Sequence, residues 1–210
     1  MSHAAARVDR LRYVLRPQEL DVLLVTDVAN VTYLTGFRGD SSWLLVGRER
    51  LWLVTDARFS EQAQAEAAGC EIIERKESLP KEAAQVLQAA GARSLGFEEQ
   101  SLTCTTHREL CESLDGLAPV ATKGVVEKLR QVKDESEIER IRAAVAAADA
   151  AFADLRDELR PGLREREVAS RLEFAMQQHG ARKPSFDSIV AAGARASLPH
   201  AEATDTLIGA

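Results

Sequence analysis

A single histidine near the end of the chain is placed where it could take part in catalysis. His200 follows Pro199, and an apolar, strand-like run over 184–193 precedes both of them. Proline fixes its own φ and biases the preceding residue, Leu198, toward an extended backbone. A histidine placed in this way can donate or accept a hydrogen bond at a substrate carbonyl or a water molecule. The residues alone leave open whether His200 has this role or is structural.

The remaining residues do not form a self-contained catalytic set. The sequence has no glycine-rich phosphate loop, no GxSxG nucleophile elbow and no HExxH zinc motif. We interpret the other histidines as exposed or structural: His3, His107 and His179. The three cysteines, which include no CxxC pair, support neither a disulfide framework nor a zinc knuckle. We therefore expect reduced thiols in a reducing compartment.

The composition is that of a soluble globular protein. The 210 residues are 45% hydrophobic and 29% charged, which predicts one large domain or two smaller ones. A formal net charge of −6 predicts no nucleic-acid partner. The N-terminal region lacks the apolar centre of a signal peptide, and no run approaches the ~20 apolar residues of a membrane helix. We expect a cytoplasmic protein with no membrane partner.

Hydrophobic periodicity predicts alternating strands and helices in the first half of the chain. Apolar runs bounded by turn residues predict strands at 21–26, 42–46, 51–55, 70–74, 94–97 and 117–120. Helical spacing of apolar residues predicts helices at 4–16, 59–68, 80–90 and 103–114. This order of elements predicts an α/β domain with a mixed sheet.

The second half of the chain has a different pattern. Asp134 and Glu137 form a capping-box pattern, and apolar residues then recur at steps of three and four as far as Leu159. A second helix is predicted at 165–178, and a strand at 184–193. The spacing in the long helix leaves a coiled coil as an alternative. Because the apolar stripe is rich in alanine and short, packing within its own domain is favoured.

Short segments in the correct order resemble the Xaa-Pro peptidases. This is the prolidase and aminopeptidase P group of pita-bread metallopeptidases, to which creatinase is related. The matching segments are Asn30 to Phe37, Thr55 to Phe59, Gly96 to Glu98, Leu129 to Ile138, Ser185 to Ala191 and Leu198 to His200. Each segment is weak by itself, but their common order makes the resemblance fairly specific, and it covers almost the whole chain.

The resemblance implies a domain organisation. A creatinase-type N-terminal domain with a mixed sheet would occupy 1–122, followed by a linker at 123–133. Residues 134–210 would then be the first helices and strand of an incomplete pita-bread α+β catalytic domain.

The resemblance also implies roles for particular residues. His200 would contact the substrate or its transition state, and Phe186 would line the substrate pocket. Residues 36–38 are candidates for a loop that covers the active site of a partner in a homodimer, although a plain turn is an equal alternative. Arg164 precedes the predicted helix at 165–178, where relatives tend to have Ser or Thr. The loss of that N-cap side chain costs ~1 kcal/mol of stability.

Metal binding is where the chain departs most from the family. The resemblance implies two divalent metal ions (Mn, Co or Zn) in the intact enzyme, with ligands that all follow the His200 segment. After His200 the only acidic residues are Glu202 and Asp205, and no further histidine occurs. We therefore expect this chain to bind no metal and to be inactive alone. The incomplete sheet also predicts an exposed apolar surface or pairing with another chain.

Three functions are compatible with these observations. The first is the N-terminal portion of a metal-dependent Xaa-Pro peptidase, which hydrolyses the bond before proline in a peptide substrate. The second is a creatinase-like amidinohydrolase that needs no metal. The third is a non-catalytic pita-bread module that binds proteins.

Overall fold

The computed structural model describes residues 3–209. The chain forms two compact units, which are divided between Val132 and Lys133.

The first unit contains six strands and six α-helices in its described part. The strands are β1 (Val22–Val25), β2 (Trp43–Gly47), β3 (Leu51–Thr55), β4 (Glu71–Glu74), β5 (Leu95–Glu98) and β6 (Val120–Thr122). The helices are α1 (His3–Leu15), α2 (Val28–Thr35), α3 (Ser60–Glu66), α4 (Leu79–Ala89), α5 (Cys104–Ser113) and α6 (Val125–Gln131). Two short 3-10 helices lie at Arg16–Gln18 and Ala57–Phe59.

The six strands form one mixed sheet in the order β4-β3-β2-β1-β5-β6. β2 is antiparallel to both β1 and β3, whereas β1, β5 and β6 are parallel to one another. β3 and β4 form a further parallel pair. The predicted α/β fold with a mixed sheet is therefore confirmed.

Both faces of the sheet are buried at its central strands. Along β1, Leu23 and Val25 contribute to a core shared with α1, α2 and α6, while Val22 and Leu24 contribute to a core shared with α4 and α5. This alternation follows from the two-residue period of a strand. Because helices cover both faces, β1 is a continuous apolar run rather than an alternation of polar and apolar residues.

A buried polar network lies where the parallel strands end. β1 and β5 run in the same direction, so their carboxyl ends share one edge of the sheet. There the Glu98 carboxylate accepts hydrogen bonds from the backbone N–H groups of Thr26 and Asp27, at 2.8 and 2.9 Å. The fully buried Asn30 donates from its side-chain amide to both Glu98 (2.6 Å) and Glu127 (2.7 Å).

The same asparagine also accepts a hydrogen bond from an arginine. Its side-chain carbonyl oxygen accepts a hydrogen bond of 2.7 Å from the guanidinium of Arg130. Burial raises the pKa of Glu98, although the N–H donors of Asp27 and Thr26 oppose the rise. Three separate segments of the resemblance, which contain Asn30, Glu98 and Arg130, thus meet in one network that stabilises the first unit.

Helix α6 lies where the sequence predicts a linker over 123–133. Val126 is fully buried in the core of the first unit, and Leu129 packs against that core. Glu127 and Arg130 on the same helix belong to the polar network. The compact first unit therefore continues through Val132. The predicted domain boundaries, 1–122 and 134–210, stay a prediction.

The second unit is built on two packed helices, α7 (Glu135–Glu158) and α8 (Glu165–Gln178). A short 3-10 helix follows at Gly193–Ser197. The predicted capping box is confirmed, since Asp134 accepts from the backbone N–H of Glu137 and the Glu137 carboxylate accepts from that of Asp134.

The predicted strand at 184–193 is wrong. None of these residues is in a strand, and Phe186 and Ile189 are 74% and 50% exposed. The apolar run has no neighbouring strand to pair with in the described part of the second unit. The only strand-like pairing there is an isolated bridge between Arg164 and Leu207.

The long helix α7 leaves part of its predicted apolar stripe exposed. Ala147, Ala151 and Leu155 are buried, at a spacing of four residues. Ile141 and Phe152 from the predicted stripe are 50% and 59% exposed. The structure thus has the exposed apolar surface that the sequence predicts. None of the described helices is both long and apolar enough to cross a membrane.

Replacing Asn30 by leucine, which has a similar volume, should destabilise the first unit by at least about 2 kcal/mol. The substitution leaves Glu98, Glu127 and Arg130 without their shared amide in a buried site. Urea unfolding followed by the fluorescence of the two tryptophans, which both lie on strands of the first unit, measures the loss. The control is Gln64→Leu at an exposed position of α3. Equal losses for the two variants would contradict the role of Asn30.

Candidate functional site

His200 lies on an exposed turn of the second unit. The turn follows the 3-10 helix Gly193–Ser197 and is closed by a hydrogen bond of 3.3 Å from the backbone N–H of Ala201 to the carbonyl of Leu198. Ala201 is buried, with 6% of its surface exposed, whereas His200 beside it is exposed. The chain thus anchors the residue after the histidine and leaves the imidazole open to solvent.

A buried carboxylate organises the chain on either side of this turn. Glu165, at the start of α8, has no exposed surface. One carboxylate oxygen, Oε1, accepts the backbone N–H of Ala192 at 2.8 Å. The other oxygen, Oε2, accepts the backbone N–H of Thr204 at 3.0 Å and its hydroxyl at 2.7 Å. We name residues 192–204 the His200 loop, because its two ends meet at Glu165.

Arg195 provides the counter-charge and a further link. Its Nε lies 3.3 Å from both oxygens of Glu165. Its Nη2 donates a hydrogen bond of 2.8 Å to the backbone carbonyl of Glu202. The guanidinium therefore joins a residue before His200 to one after it.

These donors keep the buried carboxylate ionised. The N–H bond from Ala192 and the hydroxyl of Thr204 lower the pKa of Glu165 to about 2, against the opposing effect of its burial. The backbone N–H of Thr204 and the charge of Arg195 lower this pKa further. A buried anion is stabilised in a protein only when its charge and lone pairs are matched in this way.

Backbone bonds extend the attachment beyond the loop. The N–H groups of Glu165 and Arg166 donate to the carbonyls of Thr206 and Thr204, at 3.0 and 3.1 Å. Further along, the N–H of Ile208 donates to the carbonyl of Leu163 at 2.8 Å. Residues 204–208 therefore run beside the N-terminus of α8, and Leu163 packs in a small core with Leu155 and Val168.

Phe186 lies elsewhere on the second unit. Its ring is 74% exposed and lines an open groove of about 700 Å³ along α7 and α8. The groove wall is mostly apolar and includes Ala144, Ala147 and Met176. His200 is not among the residues that line it. The two predicted site residues therefore do not share one pocket in this chain.

The acidic residues after His200 are committed to other contacts or exposed. The Asp205 carboxylate forms ion pairs with Arg166 (3.2 Å) and Arg164 (3.7 Å). The Glu202 side chain is exposed. Within residues 3–209, no group of three or more His, Cys, Asp or Glu side chains could hold a metal ion. The described residues therefore do not fit the two metal ions that the resemblance implies.

The loop at 36–38 in the first unit is largely a structural turn. Gly36 ends α2 with a φ of +86°, a conformation that favours glycine. Phe37 is fully buried, with its ring edge-to-face against Phe59 at 6.0 Å. Arg38 is exposed and forms a 2.9 Å ion pair with Glu66. Gly36 and Arg38 are both exposed, so of the three residues only the buried Phe37 is closed to contact with another molecule.

Sequence reasoning missed Glu165 and Arg195. Acidic residues are common in the first turn of a helix, where they complement its dipole, so Glu165 has no unusual signal. Arg195 lies in an alanine-rich stretch without a motif of its own. Their connection depends on a fold that brings 165, 192 and 204 together, and spacing along the chain does not encode it.

Two family models match the chain in order. Residues 7–132 match the creatinase/prolidase N-terminal domain, and residues 139–210 match metallopeptidase family M24. An uncharacterized peptidase of Bacillus subtilis is 37% identical over 202 residues, which is 96% of this chain and 57% of that protein. The Xaa-Pro dipeptidase of Pyrococcus horikoshii is 30% identical over 203 residues, 96% of this chain and 56% of that protein.

Solved structures agree with these relatives. The Xaa-Pro dipeptidase from Bacillus anthracis superposes with a TM-score of 0.92 and 36% identity, over 98% of this chain and 58% of that one. This chain thus spans little more than half the length of these three proteins. The predicted resemblance is confirmed, as is the expected fold, a creatinase-type domain followed by part of a pita-bread domain.

Acidification should loosen the second unit through Glu165. Its pKa is lowered on folding from 4.5 to about 2, so its stabilising contribution is complete above 4.5 and is lost as the pH falls toward 2. Hydrogen exchange of the Ala192 and Thr204 amides, corrected for intrinsic rates, should show protection that decreases over this range. Glu165→Gln should lack this dependence. An identical acid response in both proteins would contradict the assignment.

Proposed function

Because the chain belongs to the creatinase/prolidase family, with M24 metallopeptidase sequence after the N-terminal domain, we propose that it is the N-terminal portion of a metal-dependent Xaa-Pro peptidase. The intact enzyme would hydrolyse the peptide bond before proline. The observation that carries this proposal is the match over 98% of this chain to an Xaa-Pro dipeptidase structure. Both family matches also occur in the order that such an enzyme requires.

We propose that His200 contacts the substrate in the intact enzyme. Its exposed imidazole, on a turn with both ends anchored, can donate a hydrogen bond to the carbonyl oxygen of the bond that is cleaved. A donor fixed in advance stabilises the negative charge that develops on this oxygen in the transition state. Phe186, with its exposed ring, would line the substrate pocket.

Metal ions would supply the activated water in the intact enzyme. We propose two divalent ions, which could be Mn, Co or Zn. Because residues 3–209 offer no cluster of ligands, the ligands would have to come from outside this part of the chain. We further propose that the intact enzyme is a homodimer and that it is cytoplasmic.

The purified 210-residue chain should not cleave Xaa-Pro dipeptides. We expect no release of proline above background with Mn²⁺, Co²⁺ or Zn²⁺, since the described residues hold no ligand set. Metal-dependent hydrolysis by the purified chain would overturn the proposal that it is inactive alone. Hydrolysis that persists in a chelator would exclude a metal-dependent peptidase.

The role of His200 is testable in a chimera that continues after Ala210 with the remaining part of the Bacillus anthracis dipeptidase. The chimera should hydrolyse Xaa-Pro dipeptides when Mn²⁺ is supplied. His200→Ala should lower kcat by about 100-fold, as expected for the loss of one transition-state donor. The control, His107→Ala, changes a histidine on α5 of the first unit. An inactive parent chimera would contradict the peptidase assignment, and full activity of His200→Ala would contradict its role alone.

A further inference from the structure

We propose that Glu165 and Arg195 are positioning residues for His200, which they hold in place by fixing both ends of the His200 loop. This inference rests on the proposed function of His200 as a substrate contact. The buried ion pair between Glu165 and Arg195 thus determines where the exposed imidazole of His200 lies.

The first step is the way the donors divide between the two oxygens of Glu165. Ala192, before His200, donates to Oε1, and Thr204, after it, donates twice to Oε2. The two ends of the loop are thus attached to one side chain. Since that side chain is fully buried at the start of α8, it has little freedom to follow a moving loop.

The second step is the link inside the loop. Arg195 contacts Glu165 with its Nε and the carbonyl of Glu202 with its Nη2. These two contacts of Arg195 leave only the residues between 195 and 202 without a direct link to the ion pair. The remaining turn is closed by the bond from Ala201 to Leu198, and Ala201 itself is buried.

No other side chain could replace the carboxylate of Glu165. Each oxygen already accepts a backbone N–H, so the amide group of a glutamine would set its own N–H donors against Ala192 or Thr204. Aspartate is one methylene shorter and would not reach both ends of the loop. Leaving a buried backbone donor unpaired is costly, so the substitution should release the Ala192 end of the loop, whereas the Thr204 end keeps its backbone bond from Arg166.

Helix α8 does not depend on this carboxylate for its start. The N–H of Arg164 is bound by the Glu167 carboxylate at 2.8 Å, and the N–H of Glu165 by the carbonyl of Thr206. The loss of the Glu165 carboxylate should therefore free the loop more than the helix. A residue with a purely structural role would loosen both.

The test is ¹⁵N relaxation of the 210-residue chain, together with the ¹H–¹³C signals of its histidine rings. In the unsubstituted protein the backbone of 196–202 should be rigid, with order parameters of about 0.85. In Glu165→Gln these values should fall below about 0.6, and the His200 ring signal should shift and sharpen. The order parameters of α8 and the His107 ring should stay unchanged. Glu139→Gln, at an exposed position of α7, is the matched control.

Arg195→Gln keeps the test decisive if Glu165→Gln fails to fold. It leaves Ala192 and Thr204 on the carboxylate and removes the contacts of the guanidinium with Glu165 and with the carbonyl of Glu202. Its order parameters should fall within 196–202 alone. The inference would be overturned if both variants kept this turn as rigid as in the unsubstituted protein, or if α8 loosened together with it. Neither readout involves metal or substrate, so a failure here is separate from a failure of the peptidase assignment.

Discussion

The second unit depends on one carboxylate that has no contact with water. An ionised glutamate at zero exposure is costly unless donors match its charge, and Glu165 receives them from the backbone, a hydroxyl and a guanidinium. All of these donors come from the segment that carries His200. The hydrogen bonds that stabilise the buried charge are therefore the same ones that order the loop. This coupling explains how an exposed histidine can have a defined position.

The first unit satisfies its buried polar groups in a comparable way, with a neutral residue at the centre. Asn30 has both a donor group and an acceptor oxygen, so it can bind two glutamates and an arginine at once. The segments that meet there are also segments of the family resemblance. Asn30, Glu98 and Arg130 therefore have contacts within the first unit, whereas His200 and Phe186 belong to the second unit.

Local patterns predict most elements but not what they contact. The strands β2 and β3, the capping box at Asp134 and the helix at 165–178 follow from short-range signals, and all are present. Helix α2 and helix α6 are not predicted, because their 8 and 7 residues are too few to show a clear helical period. The run at 184–193 has the composition of a strand, but strand formation needs a partner that composition does not reveal. The contacts of Glu165 join residues far apart in sequence, and no period describes them.

The most direct measurement is the titration of the Glu165 side-chain carboxyl carbon by ¹³C NMR in the 210-residue chain. We expect a midpoint at about 2, because the donors at Ala192, Thr204 and Arg195 stabilise the ionised form. A midpoint at or above the ordinary value of 4.5 would mean that these donors do not bind the carboxylate. The His200 loop would then have no anchor on the Glu165 carboxylate, which would contradict the role of Glu165 in positioning His200.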